Sequence, residues 1–111
     1  MRKRTKALSI PKNIKEAVAK RDSFSGYPCC IICGKPAPTD NPLAFSCAHY
    51  ISRAQGGLGI EENILTLCPD CHRRYDGEDR ELLTPSFQGY LSQCYPDWSE
   101  DKLVYRKDGV T

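Results

Sequence analysis

The sequence predicts a small α+β domain in which two short strands and a helix are closed by a four-cysteine metal site, with a further helix on either side. Three observations carry this reading. Two C-x2-C pairs, Cys30 with Cys33 and Cys68 with Cys71, stand 34 residues apart. The stretch between them contains two runs compatible with strands, one with the two-residue periodicity that puts alternate side chains on one face. Apolar residues recur at helical spacing before the first pair and after the second.

Composition sets the bounds. A chain of 111 residues is expected to form one domain. With 40% hydrophobic residues and a mean hydropathy of −0.54 it can bury a core. A domain of this size still removes only a modest fraction of its surface from water, so a metal or covalent staple is expected. No run of ~18 apolar residues occurs, and none follows the basic N-terminus, which predicts neither a membrane span nor a secretory signal. The expectation is a cytoplasmic, reduced protein. Its 7 cysteines are then better explained by metal ligation than by disulfides, and an odd number cannot all pair internally. The net charge of +2 conceals an asymmetry: residues 1–21 hold eight Lys or Arg against Glu16 alone, while residues 76–111 hold eight acids and four bases. A basic end suits a polyanionic partner.

Taken in order, residues 1–8 lack periodicity and read as a flexible basic arm, with residues 9–111 as the domain proper. Ser9 can cap a helix and Pro11 suits its first turn. Ile10, Ile14 and Val18 then recur every four residues as far as Lys20 or Arg21. Lys12, Lys15, Lys20 and Arg21 form the polar face of this helix. Residues 22–28 are turn-rich and deliver the chain to the first cysteine pair, and three prolines in residues 35–42 forbid regular structure. Residues 43–52 are β-compatible, with Phe45, Cys47, His49 and Ile51 on one face. The Gly-rich residues 55–59 make a turn, residues 64–67 a second strand, and residues 69–76 a helix opened by Pro69 and Asp70 and stopped near Gly77. This motif core spans residues 29–77. Thr84 and Pro85 look like the cap and first turn of a last helix carrying Phe87, Tyr90, Leu91 and Cys94, so that residues 84–111 form a helix and a docked tail.

Cys30, Cys33, Cys68 and Cys71 can supply a tetrahedral set of thiolates to Zn2+. Gly34 permits the close turn of the first knuckle, and Pro69 stiffens the second. Cys29 competes with Cys30 at a spacing one residue longer. Cys47 and Cys94 are spare and read as small buried hydrophobes.

The string from Cys47 through Ala48, His49 and Gly56-Gly57 to Asn63, Cys68, Cys71 and His72 resembles the HNH endonucleases, specifically the small, phage-type, zinc-stapled members. The resemblance is close over residues 30–76 and puts His49, Asn63 and His72 on the three letters of the motif. It implies a ββα-metal (His-Me finger) core stapled by the four-cysteine zinc site, and a divalent-metal phosphodiesterase acting on DNA. His49 would be the general base, since an imidazole near its ordinary pKa of ~6.5 accepts a proton at neutrality. Asn63 would hold the connection between the strands and thereby orient the base. His72 and Asp76, four apart on one helix face, would bind a second cation, and the carboxylate tilts that site toward Mg2+ or Mn2+. From its place at the end of the first strand, Arg53 reads either as a clamp on a phosphate oxygen or as a surface arginine. Arg2, Lys3, Arg4 and Lys6 of the arm, with Arg73 and Arg74, would track the DNA backbone without reading bases. One departure matters: the position before the base, often an acid or His that binds the metal, is Ala48, which implies a vacancy that Asp would fill.

Two other classes compete. A zinc-ribbon nucleic-acid-binding or adaptor module, with the motif kept as scaffold, is favoured by Ala48 and disfavoured by the joint presence of His49, Asn63, His72 and Asp76. A C-x-x-C redox protein is disfavoured, because two matched pairs argue for zinc and neither lies in a βαβ context.

Overall fold

The computed structural model describes residues 3–105, with side chains from residue 6 onward. Helices α1 (Lys3–Leu8) and α2 (Lys12–Arg21) are followed by two-residue strands β1 (Ser23–Phe24) and β2 (Tyr27–Pro28). Strands β3 (Ser46–His49) and β4 (Ile64–Leu67) come next, then helices α3 (Pro69–Asp76) and α4 (Arg80–Cys94). This is a small α+β fold. β3 and β4 pair antiparallel, with Ser46 opposite Leu67 and His49 opposite Ile64, and α3 follows β4 directly.

The core lies on the side of this ribbon that faces α3 and α4. Ala48, Leu65 and Leu67 pack there with Tyr75, Leu83, Phe87 and Leu91. The rings of Tyr75 and Phe87 meet edge-on with centroids 4.5 Å apart, a favoured aromatic geometry. The Tyr75 hydroxyl does not strand a buried polar group, because it donates to the Tyr50 carbonyl at 2.6 Å. α2 is tied to β4 by Arg21 and Asp22. Arg21 donates to both Asp22 carboxylate oxygens, at 2.7 and 3.0 Å, and to the Glu61 and Ile64 carbonyls at 2.9 and 2.7 Å. Asp22 in turn accepts from the Thr66 amide at 3.0 Å.

Four expectations need correction. Residues 3–8 form helix α1 rather than an unstructured arm, and Leu8 is only 2% exposed; burying one leucine anchors a segment too short to show a period. Arg21 does not present a cation at the surface, because its guanidinium is spent on Asp22 and two carbonyls. The first strand is shorter than residues 43–52, since only residues 46–49 find partners on β4. α4 begins at Arg80 and carries Pro85 in its interior. Leu83, Phe87 and Leu91 bury one stripe across the proline, and Thr84 Oγ1 donates to the Arg80 carbonyl at 2.7 Å one residue before it. Two described residues after α4 are tied back to the loop between β3 and β4: Trp98 Nε1 donates to the Glu62 carbonyl at 2.8 Å, and Tyr105 N to the Gly56 carbonyl at 2.8 Å.

Candidate functional site

The two knuckles are built by backbone turns. Gly34 N closes the first onto the Cys30 carbonyl at 2.9 Å with Gly34 at φ 77°, a left-handed conformation that favours glycine. Cys68 sits at the N-terminus of α3 with Pro69 behind it, so α3 carries Cys71 one turn further on. The Sγ atoms of Cys30, Cys33, Cys68 and Cys71 all lie within 4.8 Å of one another. Cys33 and Cys68 are 3.7 Å apart, close to the ~3.8 Å edge of a tetrahedron with Zn–S bonds of ~2.3 Å. Burial alone would push the Cys30 thiol up, yet backbone N–H groups of Cys33, Cys68 and Ile32 outweigh it and bring the group down to about 7. Burial and the neighbouring thiols push Cys71 up. Metal ligation requires thiolates, and a divalent cation among the four sulfurs would favour their deprotonated form. The donor set fits Zn2+. Cys29 lies outside the cluster and donates to the Tyr27 carbonyl at 3.3 Å, so Cys30 and not Cys29 joins the other three thiols. Cys47 and Cys94 are half-buried and also outside it.

His49 ends β3. Its Nε2 lies 2.9 Å from the Leu8 carbonyl oxygen. A carbonyl can only accept, so Nε2 carries the proton and Nδ1 the lone pair. Burial holds the imidazole below its ordinary 6.5, and Arg53 adds to the effect, although the bond to Leu8 pulls the other way. Asn63 is fully buried and fixes the loop that follows His49. Its Oδ1 accepts from Ile51 N at 2.8 Å, and its Nδ2 donates to the Ile51 and Leu58 carbonyls at 3.1 and 2.9 Å. Gly57 makes this possible: a Cβ there would meet the Ile51 carbonyl oxygen at 1.7 Å.

His72 and Asp76 project together from α3, with Nε2 and Oδ2 3.4 Å apart, a bite that one cation can span. Ser46 was not foreseen. Its Oγ lies 2.8 Å from His72 Nδ1 and holds that ring from the strand side. Strand alternation could have found it, because Ser46 shares a face of β3 with Ala48. Leu8 could not have been found in this way, since a main-chain carbonyl leaves no signature in the sequence.

The structure does not gather every expected residue. Among the described residues, the four cysteines are the only group of three or more His, Cys, Asp or Glu close enough to share an ion; His49, His72 and Asp76 do not form one. Ala48 leaves no open vacancy: it is 2% exposed and packed in the core. Arg53 is exposed at the start of a short 3-10 turn, residues Arg53–Gln55, near enough to His49 to act on its charge. Arg73 is hydrogen-bonded to Asp70, and Arg74 Nε donates to Asp79 at 2.8 Å, so each cation is matched by a carboxylate. Lys6 is exposed. Arg2 and the side chains of Lys3 and Arg4 lie outside the described residues.

Residues 30–78 match the HNH endonuclease family model. This stretch contains both cysteine pairs, His49, Asn63, His72 and Asp76. No curated protein matches the chain.

Proposed function

We propose that the chain is a divalent-metal-dependent HNH endonuclease that hydrolyses DNA phosphodiester bonds, with His49 as general base and His72 and Asp76 as ligands of Mg2+ or Mn2+. One observation carries this reading. The family match over residues 30–78 includes a histidine held in its neutral form with one ring nitrogen committed and the other left to accept a proton. A phosphodiester repels hydroxide, so its hydrolysis benefits from a base that deprotonates water as it attacks. Nδ1 of His49 takes the water's proton, the water oxygen bonds to phosphorus, and the bond from phosphorus to the departing sugar oxygen breaks. A bound divalent cation would take charge off that departing oxygen. Asn63 keeps the loop after the base in place, and Arg53 holds a phosphate oxygen. Zn2+ on the four cysteines serves the fold rather than the reaction.

Arg2, Lys3, Arg4 and Lys6 would hold the DNA backbone, with a smaller share for Arg73 and Arg74 because each is tied to a carboxylate. Such contacts release counterions and weaken steeply with salt. A second reading, a zinc-ribbon module that binds nucleic acid without turnover, is favoured by the buried Ala48 and by the failure of His49, His72 and Asp76 to form one cluster. Plasmid DNA incubated with zinc-loaded protein separates the two. The nuclease reading expects nicking or linearisation in Mg2+ or Mn2+ and none without added metal. DNA retention with no cleavage under any metal would favour the binding module.

A further inference from the structure

The contact between His49 and Leu8 belongs to a larger joint. Gly59 N donates to the Ala7 carbonyl at 3.0 Å, one residue before the carbonyl that meets His49. A Cβ on Gly59 would lie 2.0 Å from the Ser9 carbonyl oxygen and 3.1 Å from Ile10 Cα, so two backbones touch where no side chain fits. Gly59 has an ordinary φ, which makes close approach rather than backbone conformation the reason for glycine here. Leu8 is buried beside this contact. Three consecutive residues of the N-terminal segment are therefore fixed by the loop between β3 and β4, and the middle one meets the ring of His49.

We propose that residues 7–9 are a positioning element for His49: by seating on Gly59 they bring the Leu8 carbonyl onto Nε2, which fixes the ring's orientation and leaves Nδ1 as the proton acceptor. An imidazole hydrogen-bonded only to water rotates about its χ2 and spends part of its time misaligned. A ring held on one side by a buried carbonyl does not, and proximity effects in catalysis depend on such fixed geometry. The role in catalysis rests on the nuclease reading above, whereas the seating itself does not.

The test uses the full-length, zinc-loaded chain labelled with 15N. A ring N–H bonded to a buried carbonyl exchanges slowly with water. His49 Nε2–H should therefore be visible in a 1H–15N spectrum, with nuclear Overhauser contacts to Leu8. Gly59→Ala should abolish that signal while zinc content and β3–β4 cross-strand contacts persist. Single-turnover cleavage of a DNA duplex should fall about tenfold with binding unchanged, a smaller loss than removing a base, which costs ~100-fold or more. A wild-type spectrum with no protected His49 N–H overturns the proposal, even if Gly59→Ala fails to fold. So does a Gly59→Ala protein that has lost the signal but cleaves at the wild-type rate. Absence of cleavage by the wild type would remove the nuclease reading and the catalytic role with it, while the ring N–H would still report whether residues 7–9 are seated.

Discussion

Asn63 spends its whole amide on one loop, accepting from Ile51 N and donating to the Ile51 and Leu58 carbonyls. Asn63→Ala would leave three backbone groups of the half-buried Ile51 and Leu58 without their amide partner. At ~1–3 kcal/mol for each unsatisfied group, eased by relaxation of the loop, urea unfolding should show a loss of about 3 kcal/mol. A loss under ~1 kcal/mol would mean that water replaces the amide. His49 gives a prediction in pH. Burial first, then Arg53, hold its imidazole below the ordinary 6.5, so folding favours the neutral ring. The stability this group contributes is complete above 6.5 and is lost as pH falls through the lower folded value. Catalysis by a neutral base has the same sign, so the acid limb of the cleavage rate should have its midpoint below pH 6.5, in step with the NMR titration of the ring. A midpoint at or above 6.5 would contradict the burial of this ring. The motif string shared with the cysteine pairs, rather than residue type, singled out His49 and Asn63 in the sequence, and the fold adds the hydrogen-bond partners of each. Ala48 misled, because its small side chain reads as a missing ligand when in the fold it fills a place among Leu65, Leu67 and Tyr75.

The cysteine pairs, β4 and α3 were legible because each rests on local chemistry: a C-x2-C turn, an apolar run, a proline-opened helix. The four Sγ atoms converge because β4 leads directly into α3, so the knuckle at Cys68 and Cys71 is placed by the ribbon itself. α1 was not legible, since six residues give no period and its anchor is a single leucine held by tertiary contacts. The pairing of Arg21 with Asp22 was hidden for a similar reason. An Arg at the end of an amphipathic helix has the same sequence pattern whether it faces solvent or reaches back to β4. At this scale the four-cysteine cluster is the decisive part, because a metal bound at a site assembled only on folding would return its binding free energy as stability. Cys68→Ser should lose stoichiometric zinc and melt the domain by circular dichroism, whereas Cys29→Ser should keep both. Equal zinc content in the two variants would contradict the assignment of the cluster.

Across the whole chain, charge is segregated. The first 21 residues are strongly basic and the last third is net acidic. Some of the cations that looked available are matched, Arg21 by Asp22, Arg73 by Asp70 and Arg74 by Asp79. Lys12, Lys15 and Lys20 of α2 remain exposed. They follow directly on the segment whose Leu8 carbonyl meets His49, so attraction for a polyanion and the candidate base belong to one part of the molecule. The metal half of the proposed site, His72 with Asp76, is approached from the opposite face of β3, where Ser46 holds it. Single-turnover cleavage in Mg2+ or Mn2+ by wild type and His49→Ala tests most directly whether this histidine acts as a base on DNA. The account predicts a rate at least ~100-fold lower in the variant, the low end for a positioned general base, with DNA binding and zinc content retained. Cleavage by His49→Ala at the wild-type rate would contradict it.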